Sequence, residues 1–391
     1  MALPLMLIVL AIVHADALIS QSISRFPFHT TRTATATATA LHSSYSATDL
    51  LYQDQQGALA RRAAIEEELL GPNIKPLKAL KFKKAPVKRG SGFGSGKRDD
   101  RTPAQRYAAQ QAKVLERDGV LRIDSTLSQD LCDRLRVHVL RQEELVAVET
   151  AKVEAVSTEY YGVENRRKNR CDLLLSLISD QNDKEDDSSI IPDVLQQILG
   201  ADGTLRSLYE SLVTNEGEFY EFATVITHPG SDRQQVHPDL PHRKEAPLYV
   251  IFLALQDVTS EMGPTTFLLG THTSEERAKF DDHGRKDEQL QTANSRLALL
   301  KKGDAVLFDA RTLHCGNANE EVGGATRAMF NFSFRNPKEV GSLGYCGSMR
   351  PGYVGQLTLG DIRDVLANYS ADDGHGDIPF ESYGSGLVNA Q

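Results

Sequence analysis

The chain has 391 residues, 40% hydrophobic and 25% charged, with a formal net charge of −9. This suits a soluble protein with one sizeable core and appendages. No internal run reaches the roughly 18 apolar residues of a membrane span, and the four cysteines lack the Cys-x-x-Cys spacing of a zinc knuckle or thioredoxin-like motif.

From the N-terminus, an apolar run from Leu3 to Val13 precedes Ala15-Asp16-Ala17, the small-x-small pattern of a signal peptide over residues 1–17, although no Lys or Arg stands before it. Residues 18–48 carry Arg25, Arg32 and many Ser and Thr, and no acid occurs from Ala17 to Ala47, as in a transit peptide. In series the two read as a bipartite address to a plastid reached through the secretory route. The other reading is a secretory signal followed by a Ser/Thr-rich stalk, for an ER-resident or secreted protein. Residues 49–103 read as a basic, disordered linker, with nine Lys/Arg and no acid between Lys75 and Arg98. Such a run could touch nucleic acid or anionic lipid. The scarcity of aromatics and the interrupting Pro and Gly favour a solvated linker, so no nucleic-acid partner and no stable membrane span are expected of the mature chain. The Gly90–Lys97 stretch fails as a phosphate loop, because Ser91 stands where the first Gly is needed and Arg98 where Ser or Thr would hold magnesium.

The ordered domain is expected over residues 104–340. Ala104 to Arg117 reads as a helix and Gly119 to Ile123 as a strand. Ser128 reads as the N-cap of a second helix, whose Leu131, Leu135 and Val139 recur at three-to-four spacing. An acidic loop over 180–187 and a short helix from Ile190 to Leu199 follow. Strands are predicted at Phe219–Ile226, at Leu248–Leu255 (apolar on both faces and so central), at Leu297–Leu300, at Ala305–Phe308 and at Ala328–Phe334. Many short strands with Gly-rich turns and flanking helices make this a mainly β (α+β) chain with a cupin-like double-sheet jelly roll. Residues 341–391 read as a C-terminal extension with a helix at Leu359–Asn368, packed loosely on the domain. The cysteines, Cys132, Cys171, Cys315 and Cys346, are expected to be mostly free thiols.

The chemistry concentrates in Val236-His237-Pro238-Asp239, then Leu313-His314-Cys315-Gly316, then Arg327. On an extended strand, side chains two apart emerge on one face, so His237 and Asp239 can grip one metal ion and His314 can complete the set. Two histidines and a carboxylate on one face of an octahedron leave positions open, the arrangement of non-heme Fe(II) oxygenases. A turn and a returning strand bring Arg327 near, and its guanidinium fork suits the distal carboxylate of 2-oxoglutarate. His228, His242 and His272 are rival ligands. His242 is too local to His237, His272 lies in a Gly-rich turn, and Cys315 should face away from His314.

With Gly263-Pro264-Thr265-Thr266-Phe267-Leu268-Leu269-Gly270-Thr271-His272 and Gly303-Asp304 between them, these residues make the stretch from about Tyr107 to Pro337 resemble the phytanoyl-CoA hydroxylase-like (PhyH) family of Fe(II)/2-oxoglutarate dioxygenases. The resemblance implies the double-stranded β-helix fold, iron held by His237, Asp239 and His314, and 2-oxoglutarate chelated there with its far carboxylate on Arg327. It also implies consumption of O2 with release of succinate and carbon dioxide, and hydroxylation of a small organic substrate, with ascorbate as a candidate reductant. An intact Asp239 favours hydroxylation over halogenation. Gly316 stands where several relatives have a co-substrate-binding Ser, which leaves Arg327 as the anchor. Arg166, Arg167, Lys168 and Arg170 could receive an acidic substrate group or be a solvated face. Likewise Thr271–Ser295 could be a lid or a surface insertion. A cupin-like metalloprotein and a non-catalytic metal-binding module are the alternatives to an enzyme of this kind.

Overall fold

The computed structural model describes residues 47–80, 100–151, 163–177, 187–345, 347–369 and 380. The expected signal peptide, the transit peptide up to residue 46, the Lys-rich stretch 81–99 with its glycines, most of the acidic loop and Cys346 lie outside these residues.

The elements run α1 (Ala47–Leu70), β1 (Lys75–Pro76), α2 (Pro103–Asp118), β2 (Val120–Ile123), α3 (Gln129–Ala151), β3 (Val163–Arg167), β4 (Arg170–Leu174), α4 (Ile190–Leu199) and α5 (Arg206–Val213). They continue with β5 (Glu218–Thr227), β6 (Leu248–Ala254), β7 (Thr265–Leu268), α6 (Ser274–Asp281), α7 (Lys286–Thr292), β8 (Ser295–Leu297), β9 (Ala305–Asp309), β10 (His314–Gly316), β11 (Arg327–Arg335) and α8 (Leu359–Ala367). The strands form two sheets facing each other as a jelly roll. The larger has seven strands in the order β2-β9-β6-β11-β5-β4-β3, and the smaller has four, β1-β8-β7-β10. Every pair is antiparallel except β1 with β8.

Local chemistry sets these elements. Thr102 closes a capping box with Gln105 and Pro103 opens α2, while Gly119 at φ 74 ends it. A Cβ on Gly119 would lie 2.4 Å from the Thr312 hydroxyl, so only glycine fits. Ser128 Oγ accepts the Leu131 N–H at 3.3 Å, the N-cap expected of α3. β6 is central as its two apolar faces predict, lying between β9 and β11. Its alternate residues divide between two cores. Ile251 and Leu253, with Leu255 just past the strand's end, pack with Phe330, Phe332 and Phe334 of β11 beneath the helices. Leu248, Val250 and Ala254 pack with Val306 and Phe308 between the sheets.

Two expectations need correction. The segment expected to be a linker from residue 49 begins with α1 and β1 instead. Gly57-Ala-Leu-Ala-Arg-Arg-Ala-Ala-Ile-Glu-Glu-Glu-Leu-Leu70 is made of strong helix formers, and Lys75–Pro76 adds to a sheet edge, where Pro is tolerated. The described part of the C-terminal segment, 341–345 and 347–369, is not loosely packed either. Leu359, Ile362 and Leu366, three and four residues apart on α8, are fully buried in the main core, and Tyr353 and Leu357 join them. The predicted strand at 297–300 is only Ser295–Leu297, and the hairpin β3–β4 and helix α5 were not foreseen. The segment read as lid or insertion forms α6 and α7. Cys132, Cys171 and Cys315 form no disulfide among the described residues. No helix among the described residues is long and apolar enough to cross a membrane.

Candidate metal centre

His314 sits on β10, opposite Phe267 of β7, and its buried ring stacks on Phe267 at 5.6 Å and tilts against Phe308 at 5.1 Å. His237 reaches the same place by one antiparallel bridge to His314, closed by two N–H···O hydrogen bonds of 2.9 Å. The Asp239 N–H then donates to the Ala310 carbonyl at 3.0 Å. Asp239 Oδ1 lies 3.3 Å from His314 Nε2 and 3.8 Å from His237 Nε2. The three donor atoms fall within 4.8 Å of one another. Among the described residues, these are the His, Cys, Asp and Glu side chains close enough to share an ion.

The donor set fits ferrous iron by its chemistry. Nδ1 of His237 donates to the Gln235 carbonyl at 2.8 Å and Nδ1 of His314 to the Thr312 carbonyl at 3.0 Å. Those bonds commit the Nδ1 proton and turn both Nε2 lone pairs toward Asp239, the outer support that metal-binding histidines use. Burial disfavours charge here, yet His314 beside it holds the Asp239 carboxyl below the usual carboxylate range. His314 is raised in turn, because Asp239 outweighs its burial.

A cavity of about 340 Å³ opens from these residues. Its walls include Arg170, Asp172, Val225, Phe252, Met329 and Arg327. Arg327 is 4% exposed. One Nη donates to the Gly263 carbonyl, while Nε has no partner. Burial, then repulsion from Arg170, pulls the guanidinium down to about 9. A buried cation under that pressure is a seat for an anion. The Gly-Pro-Thr turn shapes the seat. Gly263 takes φ 67, and a Cβ there would lie 2.4 Å from the Asn317 carbonyl.

The rival ligands are engaged elsewhere. His228 lies 2.9 Å from Glu143, His242 2.8 Å from the Ser274 hydroxyl and His272 3.0 Å from the Glu116 carbonyl. Cys315 faces away from His314, as alternation predicts, and accepts from Arg233 at 3.2 Å. The basic cluster at 166–170 divides, with Lys168 exposed and Arg170 buried in the cavity wall. A Cβ at Gly316 would sit 2.7 Å from Gln234 Oε1 and 3.1 Å from an Nη of Arg170, so glycine makes room for a second guanidinium where a serine was expected to be missed.

Sequence reasoning overlooked the support under His237. Glu66 of α1, 0% exposed, accepts the Val236 N–H at 2.6 Å, Arg62 at 3.0 Å and Lys286 at 3.1 Å. Arg233 donates to the Ala63 carbonyl at 2.8 Å and Gln235 to that of Leu59 at 3.1 Å. The segment entering His237 is therefore tied to α1 at three points. Glu66 is the first of three consecutive glutamates, and nothing in the local sequence sets it apart from Glu67 and Glu68.

Residues 115–324 match the family model for phytanoyl-CoA dioxygenase (PhyH). That range holds all three candidate ligands and stops just short of Arg327. Solved structures similar to the chain include the non-heme α-ketoglutarate-dependent epimerase SnoN from nogalamycin biosynthesis, at 16% identity over 59% of this chain and 83% of that one, with a TM-score of 0.39. AviO1 from Streptomyces viridochromogenes Tue57 is similar at 18% identity over 60% and 97%, TM-score 0.40. The α-ketoglutarate-dependent carbocyclase SnoK from nogalamycin biosynthesis is similar at 15% identity over 60% and 86%, TM-score 0.39. No curated protein matches the chain in sequence. Iron(II), 2-oxoglutarate and dioxygen are the reagents that go with the family and with the donor set. The chain belongs to the phytanoyl-CoA dioxygenase (PhyH) family of non-heme iron, 2-oxoglutarate-dependent enzymes.

Proposed function

We propose that the protein hydroxylates a small organic substrate, consuming 2-oxoglutarate and dioxygen and releasing succinate and carbon dioxide. The observation that carries this reading is the convergence of two Nε2 atoms and one carboxylate, with both Nδ1 atoms already committed, beside a buried arginine. His237, Asp239 and His314 hold the iron, which when bound supplies the oxygen-activating chemistry. Arg327 receives the far carboxylate of 2-oxoglutarate, with Arg170 as a second cation on the wall. Phe267, Phe308, Phe252 and Met329 keep water from the inner side, so charge pairing there is strong. A non-catalytic metal-binding module has no use for an arginine buried without a carboxylate.

The test is anaerobic addition of Fe(II) and 2-oxoglutarate to the full chain, which should give a weak visible charge-transfer band that His237→Ala abolishes. An unchanged band in that variant removes His237 from the site. Succinate release against a metabolite extract then finds the substrate, and label from 18O2 in the product separates hydroxylation from other oxidative outcomes. The N-terminal address is part of the proposal. A fluorescent fusion of residues 1–48 should enter an organelle by the secretory route, and cytosolic fluorescence would refute it.

A further inference from the structure

Alternation along β5 puts Glu221 on the same face as Ala223 and Val225, and Val225 lines the cavity. On β11, Ser333 and Asn331 share a face with Met329, which lines it too. Glu221 pairs across the ladder with Ser333, and Asn331 with Ala223. Strand alternation turns these polar side chains to the same inner face as Val225 and Met329, farther along the barrel than the lining residues themselves. Glu221 is 8% exposed, Asn331 6% and Ser333 0%.

Glu221 Oε1 accepts from the Tyr345 hydroxyl at 2.8 Å. The Ser333 hydroxyl leans on the same carboxylate and holds it down, which leaves the serine oxygen its acceptor lone pairs, while Glu221 Oε2 and Asn331 Oδ1 receive no well-formed hydrogen bond. Burial of such atoms is costly unless something answers them. The charged groups acting on Glu221 are Asp239 and Asp172, both acids. Burial, then Asp239, pushes the carboxyl up to about 7. Charge balance points the same way. Among the residues lining the cavity, the two guanidinium groups of Arg170 and Arg327 are matched in number by the carboxylates of Asp172 and Asp239, and Glu221 adds a further acid beside them.

We propose that Glu221, with Asn331 and Ser333, seats a protonated amine of the substrate. An ammonium brings three donors and one positive charge, and this inner face offers three acceptor atoms and one negative charge. This rests on the oxygenase reading, since the amine is what carries the substrate to the iron.

The full chain, loaded with Ni(II) and 2-oxoglutarate to prevent turnover, is titrated calorimetrically with n-hexylammonium, with hexanol and hexanoate as neutral and anionic controls. The ammonium should bind at least about tenfold more tightly than either control, and Glu221→Gln should weaken it about ten- to a hundredfold, the worth of a charged hydrogen bond. Affinity for 2-oxoglutarate should not change. Asn331→Ala, which spares the carboxylate, should weaken the ammonium about threefold, and it decides the matter if Glu221→Gln fails to fold. Equal binding of ammonium and hexanol, or unchanged ammonium binding in the folded variants, overturns the proposal. The Ni(II) and 2-oxoglutarate titrations come first: if they succeed and the amine preference is absent, the amine seat fails alone, and if they fail, the oxygenase reading fails with it.

Discussion

His314 and His237 meet at one point but are held in different ways. His314 is a strand residue with a paired neighbour and two aromatic rings against it. His237 has one bridge, a side chain 37% exposed, and an approach segment tied to a helix outside the residues that match the family model. One ligand is thus placed by the barrel alone, and the other is also braced by a helix outside the matched residues. The difference teaches that a metal site can have a rigid half and an adjustable half, with the adjustable half governed from a distance.

The comparison breaks most visibly when each ligand is removed. Either alanine variant should abolish the charge-transfer band, but only His314→Ala should also cost about 2–4 kcal/mol of metal-free stability, because it leaves a hole among buried rings. His237→Ala should cost about 1 kcal/mol or less. Urea unfolding of both variants checks this, and equal losses would erase the distinction. Next in size, Arg327→Ala should weaken 2-oxoglutarate binding about thirty- to a thousandfold while changing iron affinity less than about twofold. Equal loss of both would make the arginine a structural residue.

The ligands and the barrel strands were legible, and the supports around them were not. His237-x-Asp239, the strand carrying His314 and the both-sided apolar run of β6 announce themselves locally, because a two-residue alternation decides which face a side chain takes. Arg170 did not, since it sits in a run of charges whose hairpin turns at Asn169 with φ 54, and nothing in the run says which residue turns inward. Glu221 was hidden in a strand read for its apolar residues, although its place two and four residues from Ala223 and Val225 was available. α1 was masked by the basic run that follows it. Burial of Glu66 depends on a loop some 170 residues later, and local sequence carries no trace of that.

Glu66→Ala tests the adjustable half directly. It strips the Val236 N–H, Arg62 and Lys286 of a shared buried acceptor. Iron affinity should fall about tenfold, the lower end of what outer supports of a metal ligand contribute. Glu66→Gln, which can still accept from Val236, should lose less. Protease nicking of α1 should rise in parallel. Weakened iron with an undisturbed α1 would mean that Glu66 acts through charge rather than through the clamp.

The smallest expected effect is the dependence on pH, and it belongs to the rigid half. In the metal-free protein, burial opposes charge on His314 and Asp239 overcomes it, so the folded imidazole titrates above its ordinary 6.5. A raised histidine contributes stability that is complete below that ordinary value and fades as pH climbs through the folded one. Asp239, whose burial is outweighed by His314, titrates below its ordinary 3.8, so its share is present above that value and is lost as pH falls further. Metal-free stability from this pair should therefore be greatest between 3.8 and 6.5. Iron loading should run the other way, improving as pH rises past 6.5, because the metal takes a neutral imidazole and displaces its proton. Unfolding and iron titrations across pH, repeated in His314→Phe, resolve the two trends. Metal-free stability with the same slope in the variant would show that the ion pair is not its source.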